Sequence, residues 1–302
     1  MNRPAAAVST VGLAAAPARW RVVLSVFKLR IGLLIMLTAI GGLAVVPDGH
    51  LTALQGIVLA LSVLLASASA GAFNQFVEAD SDRLMKRTRN RAFASGALPR
   101  SAGWMLAIVA LLAVAVAAAA WWVNGLAALF VALGALTYAV VYTLGLKRRT
   151  PWNIVIGGLA GSFAVLAGAA AVSPQIGPLA LLLALVLFLW TPPHFWSLAI
   201  ANQAEYAAAG VPMLPVVVGT ERAARIVHLH TLALVLVSLL PLAFGAGWVY
   251  GLCAVLGGLH FLRRTQALVR TPQRSTAMAS FFASMVQLSA LLGGVLLDAI
   301  MR

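Results

Sequence analysis

The chain has 302 residues, 62% of them hydrophobic and only 9% charged, with a formal net charge of +14. A soluble domain averages roughly 25% charged residues, so this composition excludes a water-soluble globule and requires apolar surface that faces lipid. The positive charge would point to nucleic acid in a soluble protein, but here it is confined to the links between apolar stretches, which excludes that partner.

Residues 1–19 are Ala-rich, contain Pro4 and Pro17, and lack the sustained apolar run of a signal peptide. They are read as a disordered cytoplasmic tail, leaving residues 20–302 as a single polytopic membrane domain. A membrane span needs about 20 mostly apolar residues. The stretches 31–47 and 49–77 hold one span each, the first with Lys28 and Arg30 at its edge. The stretch 101–146 holds two, broken near Asn124-Gly125, and 150–204 holds two, broken at Ser173–Pro178. Two short spans are expected in 226–262, broken between Gly245 and Gly251, and a last one in 275–297. The predicted fold class is an all-α integral membrane protein with nine transmembrane helices. A single cysteine, Cys253, excludes an intramolecular disulfide and a multi-cysteine metal site.

The basic residues support this division. Every Lys and Arg except Arg302 lies before the first span or in alternate links: 83–100, 147–149, 222–225 and 263–274. The positive-inside rule then places the N-terminus in the cytoplasm and the C-terminus outside. The spacing of the acidic links after the second and sixth spans is compatible with a parallel internal repeat.

Only seven residues are acidic, and Glu78, Asp80 and Asp82 fall together at the end of the second span. On a helix Asn74, Glu78 and Asp82 share one face, over about 12 Å of rise, while Asp80 points away. These are hard oxygen donors suited to Mg²⁺ carrying a phosphorylated substrate. Arg83, Lys86, Arg87 and Arg91 follow within reach of phosphate oxygens. A salt-bridged loop obeying the positive-inside rule accounts for the same charges, so the pattern alone leaves both readings open.

The row Asn74-x₃-Glu78-x₃-Asp82 on a polytopic chain resembles the UbiA superfamily of intramembrane prenyltransferases. Three segments resemble more narrowly the protohaem IX farnesyltransferase family within it: Asp80–Arg91, Tyr142–Gly158, and Pro192-Pro193-His194-Phe195-Trp196 with Glu205-Tyr206 and Ala209–Pro215. The likeness runs from about Lys28 into the last span. Its implications are a UbiA-type bundle with cytoplasmic catalytic loops, Mg²⁺ as cofactor, and transfer of a farnesyl group from farnesyl diphosphate to the 2-vinyl group of haem B, giving haem O. They extend to a bacterial-type inner membrane and to haem A synthase or oxidase assembly factors as partners. Asn74, Glu78 and Asp82 become the metal site, and Lys147 and Arg148 contact the diphosphate or a haem propionate. Tyr142 faces the prenyl chain, and Glu205 assists a second Mg²⁺ or a phosphate-binding residue.

The chain departs from the family pattern at four places: Glu78 and Glu205 stand where Asp is usual, Lys28-Leu29-Arg30 replaces Lys-Pro-Arg, and Ser162–Val165 lacks the usual prolines. His194, in a Pro-Pro-His-Phe-Trp turn that is expected to break the sixth span, is read either as a haem contact or as a packing histidine. Trp152, Trp190 and Trp196 are read as residues of the membrane interface. A related enzyme with an aromatic acceptor, or a transporter using the acids as an ion site, are the alternative functions.

Overall fold

The computed structural model describes residues 19–47 and 50–301. The expected disordered tail therefore lies outside the described residues except for Arg19, as do Asp48 and Arg302. No strand occurs among the described residues. The chain opens with Arg19–Val26 (α1) and Leu29–Ala44 (α2), a pair bent by 42° at Lys28. Ala53–Val77 (α3) starts from a capping box made by Thr52 and Gln55 and leads into the single turn Ala79–Asp82 (α4). After a coiled segment come Ala102–Trp122 (α5) and Gly125–Leu136 (α6), which widens into a π-helix over Thr137–Leu146. Asn153–Gly157 (α7) and Leu159–Val172 (α8) form the next span, followed by Pro178–Ala201 (α9) and two short helices, Gln203–Ala208 (α10) and Leu214–Val218 (α11). The last three are Thr220–Val237 (α12), with a 3₁₀ turn at Leu240–Phe244, Trp248–Arg270 (α13) and Arg274–Met301 (α14).

Seven of these helical runs are long and apolar enough to cross a membrane, or eight with the bent pair α1–α2, against the nine expected from sequence. The difference is α13. It is 23 residues long, but its second half carries His260, Arg263, Arg264 and Arg270, which dilute its apolar character. The expected pair of short helices within 226–262 is corrected accordingly. Both helices run beyond that window, from Thr220 and as far as Arg270, and take the flanking charges into their terminal turns.

Two large apolar clusters fill most of the described interior. One joins α3, α5, α6 and α8 and is built largely of alanine, including Ala66, Ala115, Ala127 and Ala167. The other joins α8, α9, α12, α13 and α14 around larger residues such as Leu183, Leu234, Phe261 and Leu291. Small residues are what close helix packing needs when lipid supplies no hydrophobic drive. A Cβ at Gly168 would strike the Ala39 carbonyl, and one at Gly42 the Val165 backbone, so α2 and α8 touch main chain to main chain. Turn polar groups are also satisfied. Asn124 caps α6 through Ala127 N–H at 2.8 Å and donates to the Ala170 and Ala171 carbonyls that end α8. Asp298 accepts from Val249 and Tyr250 N–H and so caps α13.

Candidate active site

The acidic row forms as the helical spacing predicts. Glu78 N–H bonds the Asn74 carbonyl at 3.0 Å and Asp82 N–H bonds the Glu78 carbonyl at 2.8 Å, so the helical rise continues from α3 through α4. Asn74, Glu78 and Asp82 are all buried, whereas Asp80 is exposed. After Asp82 the chain coils back. Thr88 donates to the Asp82 carbonyl at 3.0 Å, Met85 packs against Tyr142, and Phe93 packs edge-on against Phe76 and Trp104. The folded-back loop brings Arg91 onto Asp82, its Nη1 lying 3.0 and 2.7 Å from the two carboxylate oxygens.

Two further cations arrive from distant parts of the chain. Lys147, just past the π-helix, places Nζ 2.5 Å from Glu78 Oε2. Burial pushes its ammonium below the ordinary lysine pKa, and the Glu78 carboxylate opposes that shift. Lys28 Nζ donates to Asn74 Oδ1 at 2.7 Å and lies 3.5 Å from the Tyr138 hydroxyl. Lys28 is also the one non-glycine residue with positive φ (47°) among those described. Such a conformation costs of order 1–3 kcal/mol and persists where surroundings over-determine it. Here its stem lies over Gly71, whose added Cβ would be 3.4 Å from Lys28 Cδ. Asn74 completes the chain of contacts by donating from Nδ2 to Glu78 at 2.7 Å and to Thr143 at 3.2 Å.

The π-helix shapes the apolar side. Its wider turn brings Tyr138 and Tyr142 into a stack at 5.5 Å and lets Thr143 donate to the Tyr138 carbonyl five residues back. Tyr142 also rests on Gly157, where a Cβ would come within 2.9 Å of its ring. Met85, Tyr206, Met213 and Phe195 join Tyr142 in one apolar cluster beneath the charged row.

The other candidates take separate places. Arg87 reaches the Tyr206 hydroxyl at 3.5 Å. Lys86 and Arg148 are exposed around the row. Arg83 does not join it: Asp80 holds it at 3.3 Å and it donates to the Ala94 carbonyl, because the outward-facing acid captures the nearest arginine. Glu205 is half-buried on α10, and its Oε2 is buried without a hydrogen-bond partner. The turn expected at Pro192-Pro193 is absent, since both prolines sit inside the continuous α9. Thr191 and Ser197 bond helix carbonyls on either side, and such hydroxyls re-satisfy a proline-interrupted helix within a membrane. His194 therefore lies within the helix, and Trp196, 1% exposed, belongs to the core and not to an interface belt. Trp190 likewise turns inward, donating to the Ser284 carbonyl at 2.8 Å. Lys28, Tyr138 and Thr143 are site residues that the spacing of the acids did not disclose. Lys28 alone had a signal, as a charge at the margin of the first span.

The donor set fits Mg²⁺. Among the described residues no three His, Cys, Asp or Glu side chains converge on one point, so the protein alone supplies no complete cage. One or two carboxylates completed by substrate phosphates is the usual Mg²⁺ arrangement. Glu78 and Asp82 are two such buried carboxylates, and the unpartnered Glu205 oxygen offers another hard donor.

Residues 35–286 match the UbiA prenyltransferase family. The chain is 54% identical over 284 residues to protoheme IX farnesyltransferase 2 of Paramagnetospirillum magneticum, covering 94% of this chain and 99% of that one. It is 39% identical to protoheme IX farnesyltransferase of Hahella chejuensis, covering 94% and 95% of the two chains. Its fold is similar to that in a structural study of digeranylgeranylglyceryl phosphate synthase, with a TM-score of 0.77 at 17% identity over 94% of this chain and 99% of that one. A UbiA homologue from Archaeoglobus fulgidus bound to DMAPP and Mg²⁺ superposes with a TM-score of 0.64 at 15% identity, covering 90% and 97%. The chain belongs to the UbiA prenyltransferase family, in the branch whose members are named protoheme IX farnesyltransferases.

Proposed function

We propose that this protein is a Mg²⁺-dependent membrane enzyme that transfers the farnesyl group of farnesyl diphosphate to the 2-vinyl group of haem B, yielding haem O. The observation that carries the reading is the meeting of Lys28, Lys147 and Arg91 on the buried Asn74–Glu78–Asp82 row, directly above an aromatic and apolar cluster. A diphosphate with a long apolar tail needs both surfaces side by side.

Glu78 and Asp82 would hold the metal, with Asn74 orienting Glu78. Bound Mg²⁺ would neutralise charge on the diphosphate and so improve it as a leaving group. Lys147 and Arg91, which pair with the two carboxylates, would also be in reach of phosphate oxygens. Arg87, Lys86 and Arg148 supply further positive charge at the rim, steering a polyanion inward. As the bond between farnesyl C1 and the diphosphate oxygen breaks, its electron pair leaves with the diphosphate. The stacked Tyr138 and Tyr142, with Lys28 and Lys147 over their rings, would border the allylic cation that remains. Burial beneath the loop 83–98 keeps water from capturing that cation early. The vinyl π-electrons form the new carbon–carbon bond to C1. Water then adds to the carbon beside the porphyrin and releases one proton.

The reading includes an N-terminus in the cytoplasm and an active site at the cytoplasmic face of a bacterial inner membrane, supported by the distribution of Lys and Arg. The test is purified protein incubated with haem B and farnesyl diphosphate, with Mg²⁺ or with chelator, and products read by mass spectrometry. Metal-dependent haem O is expected. Absence of haem O, with prenylation of 4-hydroxybenzoate instead, would overturn it.

A further inference from the structure

A second polar site lies apart from the charged row, between α9 and α14. His194 is clamped on both faces, with the Trp190 ring at 4.2 Å and the Phe281 ring at 4.5 Å, both stacked. Its Nδ1 lies 2.7 Å from Ser284 Oγ. The Ser284 hydroxyl proton is already committed to the Phe281 carbonyl at 2.6 Å. Ser284 Oγ can therefore only accept from the histidine, so Nδ1 carries the ring proton. In a neutral imidazole that leaves the lone pair on Nε2.

Among the described residues no hydrogen bond uses that lone pair. Nδ1 makes the histidine's one hydrogen bond, and the side chain keeps partial exposure. Trp190 and Phe281 cover the faces of the imidazole and Phe195 stands perpendicular to it at 5.3 Å, whereas a metal would bind Nε2 in the ring plane. An imidazole whose other nitrogen donates to an oxygen is also the arrangement that fixes a histidine as a metal ligand. The site also adjoins the apolar cluster around Tyr142. Tyr142 packs on Gly157, and Thr191, three residues before His194, lies where a Gly158 Cβ would come within 3.0 Å of it. Phe195 belongs to the same cluster as Tyr142.

We propose that His194 Nε2 is the axial ligand that seats the iron of the acceptor haem, with Ser284 as the positioning residue that sets its tautomer. This rests on haem B being the acceptor. Ligation at the ring's centre would fix the macrocycle while leaving its peripheral vinyl group free to meet the farnesyl cation.

The test is haem B titrated into detergent-purified full-length protein without farnesyl diphosphate, followed by Soret absorption and electron paramagnetic resonance. Wild type is expected to give a histidine-ligated spectrum. His194→Ala is expected to lose it, with at least tenfold weaker haem affinity, and added imidazole to restore it. His194→Phe, which keeps a ring between Trp190 and Phe281, should retain the thermal stability of wild type yet also lose the spectrum, separating ligation from packing. A folded His194→Ala or His194→Phe protein with the wild-type spectrum would overturn ligation while leaving the acceptor assignment intact. Failure of wild type itself to take up haem would overturn both.

Discussion

At the end of α3 each buried carboxylate meets a cation, Glu78 with Lys147 and Asp82 with Arg91. Between α9 and α14 the polar groups are neutral: His194 Nδ1 pairs with Ser284, and no described residue hydrogen-bonds His194 Nε2. The first region resembles a site for a polyanion, since full charges are tolerated in low dielectric only as hydrogen-bonded pairs. The second resembles a site for an apolar, flat guest with one coordinating centre, since neutral groups can wait there without prohibitive cost. A reaction joining a diphosphate to a largely apolar acceptor needs one of each.

Changes in the charged region should have the largest effects. Asp82→Asn keeps the shape but removes a carboxylate, and haem O formation should fall by about 10²–10³, as when one electrostatic stabiliser is lost. Steady-state turnover of folded variant against wild type checks this. Lys147→Met leaves Glu78 buried and unpaired, a destabilisation of about 3–5 kcal/mol. Lys147→Met with Glu78→Gln should recover most of that loss in thermal unfolding while remaining inactive, which separates the pair's structural role from its chemistry. In the neutral region Ser284→Ala removes the group that sets the His194 tautomer. Haem affinity should weaken about tenfold, the low end for loss of a group supporting a metal ligand, with the KM for farnesyl diphosphate unchanged. A rise in that KM would show that the two regions are not separate. Smallest of all is Arg83→Ala. Its exposed pair with Asp80 is worth about 0–1 kcal/mol, and turnover should change by less than about twofold.

The charged region is largely legible in the sequence, because three helix-spaced polar residues stand out in an apolar chain and α3 with its continuation α4 keeps that spacing. Helical spacing turns Asp80 outward, as the structure has it, but its capture of Arg83 leaves no trace in spacing, since the pairing runs across a turn. Lys28 remained an edge charge because its role depends on a left-handed bend and on Gly71 of a neighbouring helix. Tyr138 and Thr143 were hidden by the π-helix, whose five-residue register breaks the 3.6-residue period on which face assignments rest. The neutral region was the least legible. Two prolines suggested a broken helix, yet a packed interior and local hydroxyls keep α9 continuous, and Trp190 and Trp196 turned out to be interior residues. The later helices are longer than the apolar stretches for a related reason: the arginines that would mark a loop ride on the last turns of α13.

The central claim is that the carboxylates of the row bind the diphosphate through Mg²⁺ and not merely pair with their lysine and arginine neighbours. The direct measurement is equilibrium binding of a non-ionising farnesyl thiodiphosphate to wild type and to Asp82→Asn across a Mg²⁺ titration. Wild-type affinity is expected to rise steeply with Mg²⁺, and the variant to bind weakly with little response to the metal. Equal, Mg²⁺-dependent binding by both proteins would contradict the account.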